Sequence, residues 1–281
     1  MLNCSNRIIL RTNLVNNFIV DPDIQIKLSN WDSDFTGGMY KNYAESILDN
    51  DFMNQMSNLQ YKLFADKNQA LLVVLQGVDA SGKDSTIRHA MNALNPQSCK
   101  VVSFKKPNDE EISHDYLWRV HKYTPAKGEI AIFNRSHYEA VIEERVHKLI
   151  PEDTWSKRYN QINEFEKYLF ENNIKIVKLF LHISKDEQKK RLEERINDPI
   201  KQWKFSESDI IGRKLWDEYT LAYEEMLRKC STKHIPWYII PANNKWFRNF
   251  AVAQIIINTL DTMDLKFPKP KIDLSKIFMY D

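Results

Sequence analysis

The apolar run Ala70-Leu-Leu-Val-Val-Leu75 leads directly into Gln76-Gly77-Val78-Asp79-Ala80-Ser81-Gly82-Lys83-Asp84-Ser85, and this stretch constrains the chain more than any other. A short, wholly apolar segment rich in branched residues suits a strand buried on both faces of a parallel sheet. Gly77, Gly82 and Lys83 then satisfy glycine, four residues, glycine, lysine, and helical periodicity follows them. In such a strand–loop–helix, successive backbone N–H groups form a concave nest at a helix N-terminus, where partial positive charge collects. Gly77, Ala80, Ser81, Gly82, Asp84 and Ser85 are therefore the expected phosphate cradle, with Lys83 as its mobile point charge. One position departs from the general pattern, and a second is unusual in charge. Asp84 stands where Ser or Thr usually holds magnesium, and Asp79 puts a carboxylate inside the loop. That carboxylate is tolerable if it binds magnesium or accepts a proton from a phosphoryl acceptor. The bland alternative is a strand-to-helix turn with no ligand.

Four more runs read as strands: Lys100 to Phe104, Glu129 to Phe133, Ile174 to Ile183, and Pro236 to Ile240. Helical periodicity occupies Tyr40 to Phe64 and the segments near 82–94, 109–122, 138–149, 152–173, 184–196, 207–229 and 245–263. Alternating strands and helices predict an α/β fold with a parallel sheet covered on both sides. No fixed-period repeat interrupts the pattern. One domain over 39–281 is expected, preceded by an irregular extension over 1–38 that ends in Gly37-Gly38. Asn95-Pro96 reads as the close of the helix after the loop, because a residue before proline avoids the helical region. Ser184-Lys-Asp-Glu187 and Ser206-Glu-Ser-Asp209 read as helix caps, so 184–229 reads as a helical pair joined by Asp198 to Phe205.

Composition narrows the partners. The 281 residues carry 40 basic and 38 acidic side chains, a formal charge of +2, so bulk charge favours neither nucleic acid nor a membrane surface. Cys4, Cys99 and Cys230 are scattered, which argues against a disulfide framework or a zinc site. No segment reaches the roughly 20 apolar residues that span a bilayer. Arg7 and Arg11, in a first stretch without acidic residues, give only a faint transit-peptide pattern, so the cytoplasm is the expected compartment.

A second loop, Asn134-Arg135-Ser136-His137-Tyr138-Glu139, follows the Ile130 to Phe133 strand. At this position phosphate-transferring enzymes carry an acidic residue that positions magnesium, and Glu139 is the nearest carboxylate. Arg135 could clamp a phosphate bidentately or simply pair with Glu139. Arg191 and Arg195 share a helix face, with Lys201 and Lys204 just beyond. They read either as a solvated helix with internal ion pairs or as a lid, about 184–215, that closes over phosphates. Lys105-Lys106 follow the second strand at the sheet edge where ligands of open α/β folds bind, and read equally as phosphate-binding residues along a polyanion track or as solvated side chains. His114, His121, His137 and His147 lack metal-ligand spacing, and Trp203 reads as a hinge anchor or a base-stacking side chain.

With these motifs in register, the chain resembles the polyphosphate kinase 2 family, and within it the branch called class III. The likeness runs from Thr36-Gly-Gly38 to about Met263, through Gly77 to Asp84, Phe133 to Glu139, Trp155-Ser-Lys-Arg-Tyr159, Arg191-Leu-Glu-Glu-Arg195, Trp203-Lys204-Phe205 and Lys245-Trp246. It implies a P-loop kinase fold of the thymidylate-kinase type, with three layers and a helical lid. It also implies phosphoryl transfer between inorganic polyphosphate and AMP or ADP, with Mg2+, commonly in a homo-oligomer (dimer or tetramer), and with adenine or guanine nucleotides as partners. By this likeness Asp79 is the catalytic carboxylate, Lys83 and Arg135 bind phosphate, and Arg191 and Arg195 match the lid arginines that contact the phosphate chain. Asp79 and Glu139 are the implied metal ligands. One position departs: the branch reads Glu-Asp-Val after the tyrosine, where this chain has Glu139-Ala140-Val141. Two other functions stay open. One is an ATP-dependent nucleoside monophosphate kinase, which would share loop and lid. The other is a catalytically silent polyphosphate- or nucleotide-binding protein, raised by Ala140.

Overall fold

The computed structural model describes residues 14–279 apart from Asp23, so Cys4, Arg7 and Arg11 lie outside the described residues. Five strands, β1 (Ala70–Gln76), β2 (Cys99–Ser103), β3 (Ile130–Asn134), β4 (Ile174–His182) and β5 (Trp237–Pro241), form one sheet in the order β2-β3-β1-β4-β5. Every pairing is parallel. Each strand lies within one residue of its sequence expectation, because runs of this kind fit only a doubly covered sheet.

All seven residues of the central β1 are buried, and alternation sends them to opposite faces. Leu71, Val73 and Leu75 join the core under α1 (Lys41–Ile47), α2 (Met53–Asp66), α3 (Lys83–Ala90) and α11 (Lys245–Asp261). Leu72 and Val74 join the core under α6 (Glu139–Val146), α7 (Glu152–Glu171) and α10 (Trp216–Cys230). Each such side chain contributes about 1.5–3 kcal/mol by leaving water. A charge at Val73 would break this layer, since no polar partner lies within the apolar cluster around it.

Three boundaries differ from the sequence reading. The 109–122 segment forms two short helices, α4 (Asp109–Ser113) and α5 (Trp118–His121). His114 between them is extended (φ −105°, ψ 174°) and stacks on Trp118, and Asp115 accepts from the backbone of Leu117 and Trp118. The 207–229 segment is also two helices, α9 (Glu207–Lys214) and α10, broken at Leu215. Finally, α3 ends at Ala90, before Asn95-Pro96, and the Asn95 backbone N–H is taken by the Gln60 side chain.

The segment before Gly38 is irregular, but its apolar side chains are core. Val15, Phe18, Val20, Ile26 and Leu28 are buried. Val20 donates to the Trp237 carbonyl (2.8 Å) and the Ile239 N–H donates to Phe18 (2.8 Å), which covers the otherwise open β5 edge. Among the described residues no helix is long and apolar enough to cross a membrane.

Candidate active site

The parallel sheet brings the loops after β1, β3, β4 and β5 to one end, the place where open α/β sheets bind ligands. Three residues of the β1–α3 loop have left-handed backbones: Gly77 (φ 147°), Ala80 (φ 64°) and Gly82 (φ 102°). At Gly82 a side chain has no room, because an added Cβ would collide with the Arg248 guanidinium. Lys83 opens α3 and folds back, its Nζ donating to the carbonyls of Gly77 (2.6 Å) and Val78 (3.3 Å). Burial first, then the Arg135 charge, brings its ammonium down to about 8, against the raising pull of Asp79, Glu139 and Asp84. Ser81 Oγ is buried with no hydrogen-bond partner among the described residues.

Leu75 of β1 lies in register with Asn134 of β3, which sets the second loop beside the first. Asn134 Nδ2 donates to Asp84 Oδ1 (2.6 Å), so Asp84 is held on the outer side of the cradle. Arg135, itself left-handed (φ 61°), bridges the two loops. It pairs with Asp79 (2.7 Å) and with Glu139 (3.2 Å), so the pairing read from sequence as an alternative to phosphate binding is present, together with a contact across the site. Burial alone would lower the Arg135 pKa, but Glu139 and then Asp79 outweigh it and hold it above its ordinary value. Burial pushes the Glu139 carboxyl up, against Arg135, and Gln76 Nε2 donates to it at 3.0 Å. Together with Glu143, Gly212 and Tyr219, these groups line a narrow cleft beside Gly77.

Two helices after β4 cover the loop, α8 (Lys185–Asn197) and α9, joined by a short helical turn at Gln202–Lys204. Ser184 caps α8 by accepting from the Glu187 N–H (3.1 Å), but the Glu187 carboxylate takes Arg191 Nε (2.7 Å) instead of completing the expected box. Arg191 Nη1 donates to the carbonyls of Ala80 (3.0 Å) and Ser81 (2.9 Å), and Nη2 to those of Ala242 (2.6 Å) and Asn243 (2.9 Å). A guanidinium has five N–H donors, so none is left for a ligand in this arrangement. Arg191 thus clamps the back of the loop. Arg195 donates to Asp209 (3.4 Å), tying α8 to α9. Lys105 follows the end of β2, which pairs with Asn134, and Lys204 lies in the α8–α9 connection. Both are exposed, with Lys204 resting over the Trp203 ring at 5.1 Å.

The Polyphosphate kinase 2 model matches residues 41–268, most of the chain. The chain belongs to the polyphosphate kinase 2 family. It is 44% identical over 259 residues to the AMP/ADP-polyphosphate phosphotransferase of Meiothermus ruber, covering 92% of this chain and 97% of that protein. It is 42% identical over 229 residues to the ADP-polyphosphate phosphotransferase of Rhodopseudomonas palustris, covering 77% and 79%. The crystal structure of polyphosphate kinase 2 from Arthrobacter aurescens TC1 superposes with a TM-score of 0.87 at 38% identity, over 92% of this chain and 95% of that one.

Four residues of this polyphosphate kinase 2 site escaped the sequence reading. Gln76 holds Glu139, Gln188 donates to the Asp79 carbonyl (3.1 Å), and Tyr219 donates to Glu143 (2.9 Å). The fourth, Arg248, is fully buried behind Gly82. The one available signal for Arg248 was a charge inside the apolar helix pattern Phe247 to Ile257.

Proposed function

We propose that this chain transfers phosphoryl groups between inorganic polyphosphate and adenine nucleotides, polyphosphate with ADP giving ATP and with AMP giving ADP. The single observation that carries the reading is the Asp79–Arg135 bridge, which sets a carboxylate and a guanidinium beside the Gly77–Lys83 nest. The family and the names of its relatives support polyphosphate as the donor.

In this reading the terminal phosphate lies against the N–H groups of Ala80, Gly82 and Lys83, the Ser81 N–H being taken by the Val78 carbonyl (3.1 Å). It gives the Ser81 hydroxyl the acceptor it lacks. The bond from the terminal phosphorus to its bridging oxygen breaks and a bond to an oxygen of the nucleotide's terminal phosphate forms, the electron pair leaving with the shortened chain. Lys83 and Arg135 neutralise charge on the transferring group, and alignment does the rest, so no covalent nucleophile is needed. Arg195, Lys204 and Lys105 neutralise the rest of the chain when the 184–215 segment closes as a lid and excludes water.

Among the described residues no group of three or more His, Cys, Asp and Glu side chains forms a metal site by itself. Magnesium typically takes one or two carboxylates together with phosphate oxygens and water. Asp79 and Glu139, both partly open and both now held by Arg135, fit that smaller demand. When bound there, the ion supplies charge neutralisation to the phosphate oxygens.

The test is direct. With AMP or ADP and magnesium, polyphosphate and ATP are compared as donors by chromatography of the products. Product formed from polyphosphate supports the proposal, whereas turnover with ATP alone makes the chain a nucleoside monophosphate kinase. Stabilisation by polyphosphate without any turnover, restored by Ala140→Asp, makes it a silent binder.

A further inference from the structure

Arg248 lies in the first turn of α11, in a helix whose neighbours Phe247, Phe250, Ala251 and Val252 are core residues. Its side chain is fully buried, and its guanidinium rests against Gly82. Its Nη2 donates to Ser85 Oγ (3.1 Å) and Asn249 Oδ1 (2.8 Å), its Nε to Asn249 Oδ1 (3.2 Å), and its Nη1 leans on the Ser81 carbonyl (3.5 Å). All these acceptors are neutral. No carboxylate pairs with Arg248 among the described residues, and the charge that acts on it is another cation, Arg191. Burial and then Arg191 bring Arg248 down to about 9. Fully buried arginines are ordinarily paired, because removing a lone charge from water is costly. This one also crowds a loop whose other side is a nest of N–H groups.

We propose that Arg248 is a positioning residue for phosphate: an uncompensated cation behind Gly82 whose counter-charge is the phosphate on the other side of the loop. The inference rests on the proposed phosphate-transfer reading. One consequence separates this from a plain structural role. The free protein carries Arg248 as an electrostatic cost, and the ligand relieves it. Arg191 and Arg248 also converge on the Ser81 carbonyl, which fixes the loop from behind.

The experiment measures thermal unfolding and tripolyphosphate affinity for the whole protein and for Arg248→Met, Arg248→Gln and Arg248→Lys, with Lys83→Ala as reference. Both neutral variants should unfold at or above the wild-type temperature without ligand. They should bind tripolyphosphate about tenfold or more weakly, while Arg248→Lys, which keeps the charge, recovers most of the affinity. Unchanged affinity in a folded neutral variant overturns the proposal. So does a neutral variant that loses stability but not affinity, and so does failure of both neutral variants to fold, since the charge should be dispensable in the free protein. If wild type itself ignores tripolyphosphate, the underlying phosphate reading has failed, and that result is distinct from any of these.

Discussion

Buried cations in two regions, the middle of the sheet and the glycine loop at its end, are handled in opposite ways. Lys178, at the centre of β4 and fully buried, donates to Glu166 (2.7 Å), the Tyr138 hydroxyl (3.1 Å) and the Cys230 carbonyl (2.5 Å). Glu166 in turn accepts from Tyr138 (2.7 Å) and lies 3.1 Å from His137. Burial alone would raise the Glu166 pKa, but Lys178 and His137 outweigh it, so the carboxyl sits below its ordinary value and the pair is internally neutral. Lys83 and Arg248, buried around the glycine loop, meet backbone carbonyls, hydroxyls and amides, but form no ion pair among the described residues. A neutralised charge belongs to the architecture. A charge left without its counter-ion marks where an anion is to come.

This contrast can be broken at several points. The largest effect on folding should come from Lys178→Met, which strands Glu166 in the core and costs about 3–5 kcal/mol, read from the urea midpoint. Lys178→Met with Glu166→Leu should return most of that loss, and a single variant as stable as wild type would sink the distinction. Lys83→Ala should do the reverse, lowering turnover about 10²–10³-fold while leaving the unfolding midpoint unchanged or raised. Near-normal turnover in a folded Lys83→Ala protein would remove Lys83 from the site.

The pH dependence sharpens the same point. Lys83 is depressed to about 8 from its ordinary 10.5. Its contribution to stability is therefore full above the ordinary value and lost as pH falls through about 8, so at neutral pH the charged form costs the free protein stability. Phosphate binding uses that charged form. Affinity for tripolyphosphate should hold below about pH 8 and fall by up to tenfold per unit above it, and the step near 8 should vanish in Lys83→Ala. A wild-type affinity flat from pH 7 to 9 would contradict this. The smallest effect belongs to Ser81→Ala, which deletes the orphaned hydroxyl. The free protein should change by no more than about 1 kcal/mol, on the stabilising side, while polyphosphate binding weakens a few-fold by titration.

How much of this the sequence reveals depends on distance along the chain. The β1 run and the Gly77 to Lys83 spacing are local, and local periodicity with glycine punctuation is enough to place strand, loop and helix. That Arg135 reaches Asp79 depends on β3 lying next to β1, a parallel pairing that no short window encodes. Arg191 has the spacing of a phosphate-facing helix residue, yet carbonyls from the first loop and from the end of β5 consume its donors. The breaks at His114 and Leu215 were hidden because helical periodicity continues across both. Phe18 and Val20 sat in a stretch without regular pattern and gained their burial only by docking on β5.

The most direct measurement is a calorimetric titration of tripolyphosphate, with magnesium, into the whole protein. Saturable binding that weakens with added salt and is lost in Lys83→Ala is expected if the loop's unpaired cations are a seat for linked phosphates. A protein that binds ADP but takes up no tripolyphosphate, with no change in its unfolding temperature, would show that those charges serve something else.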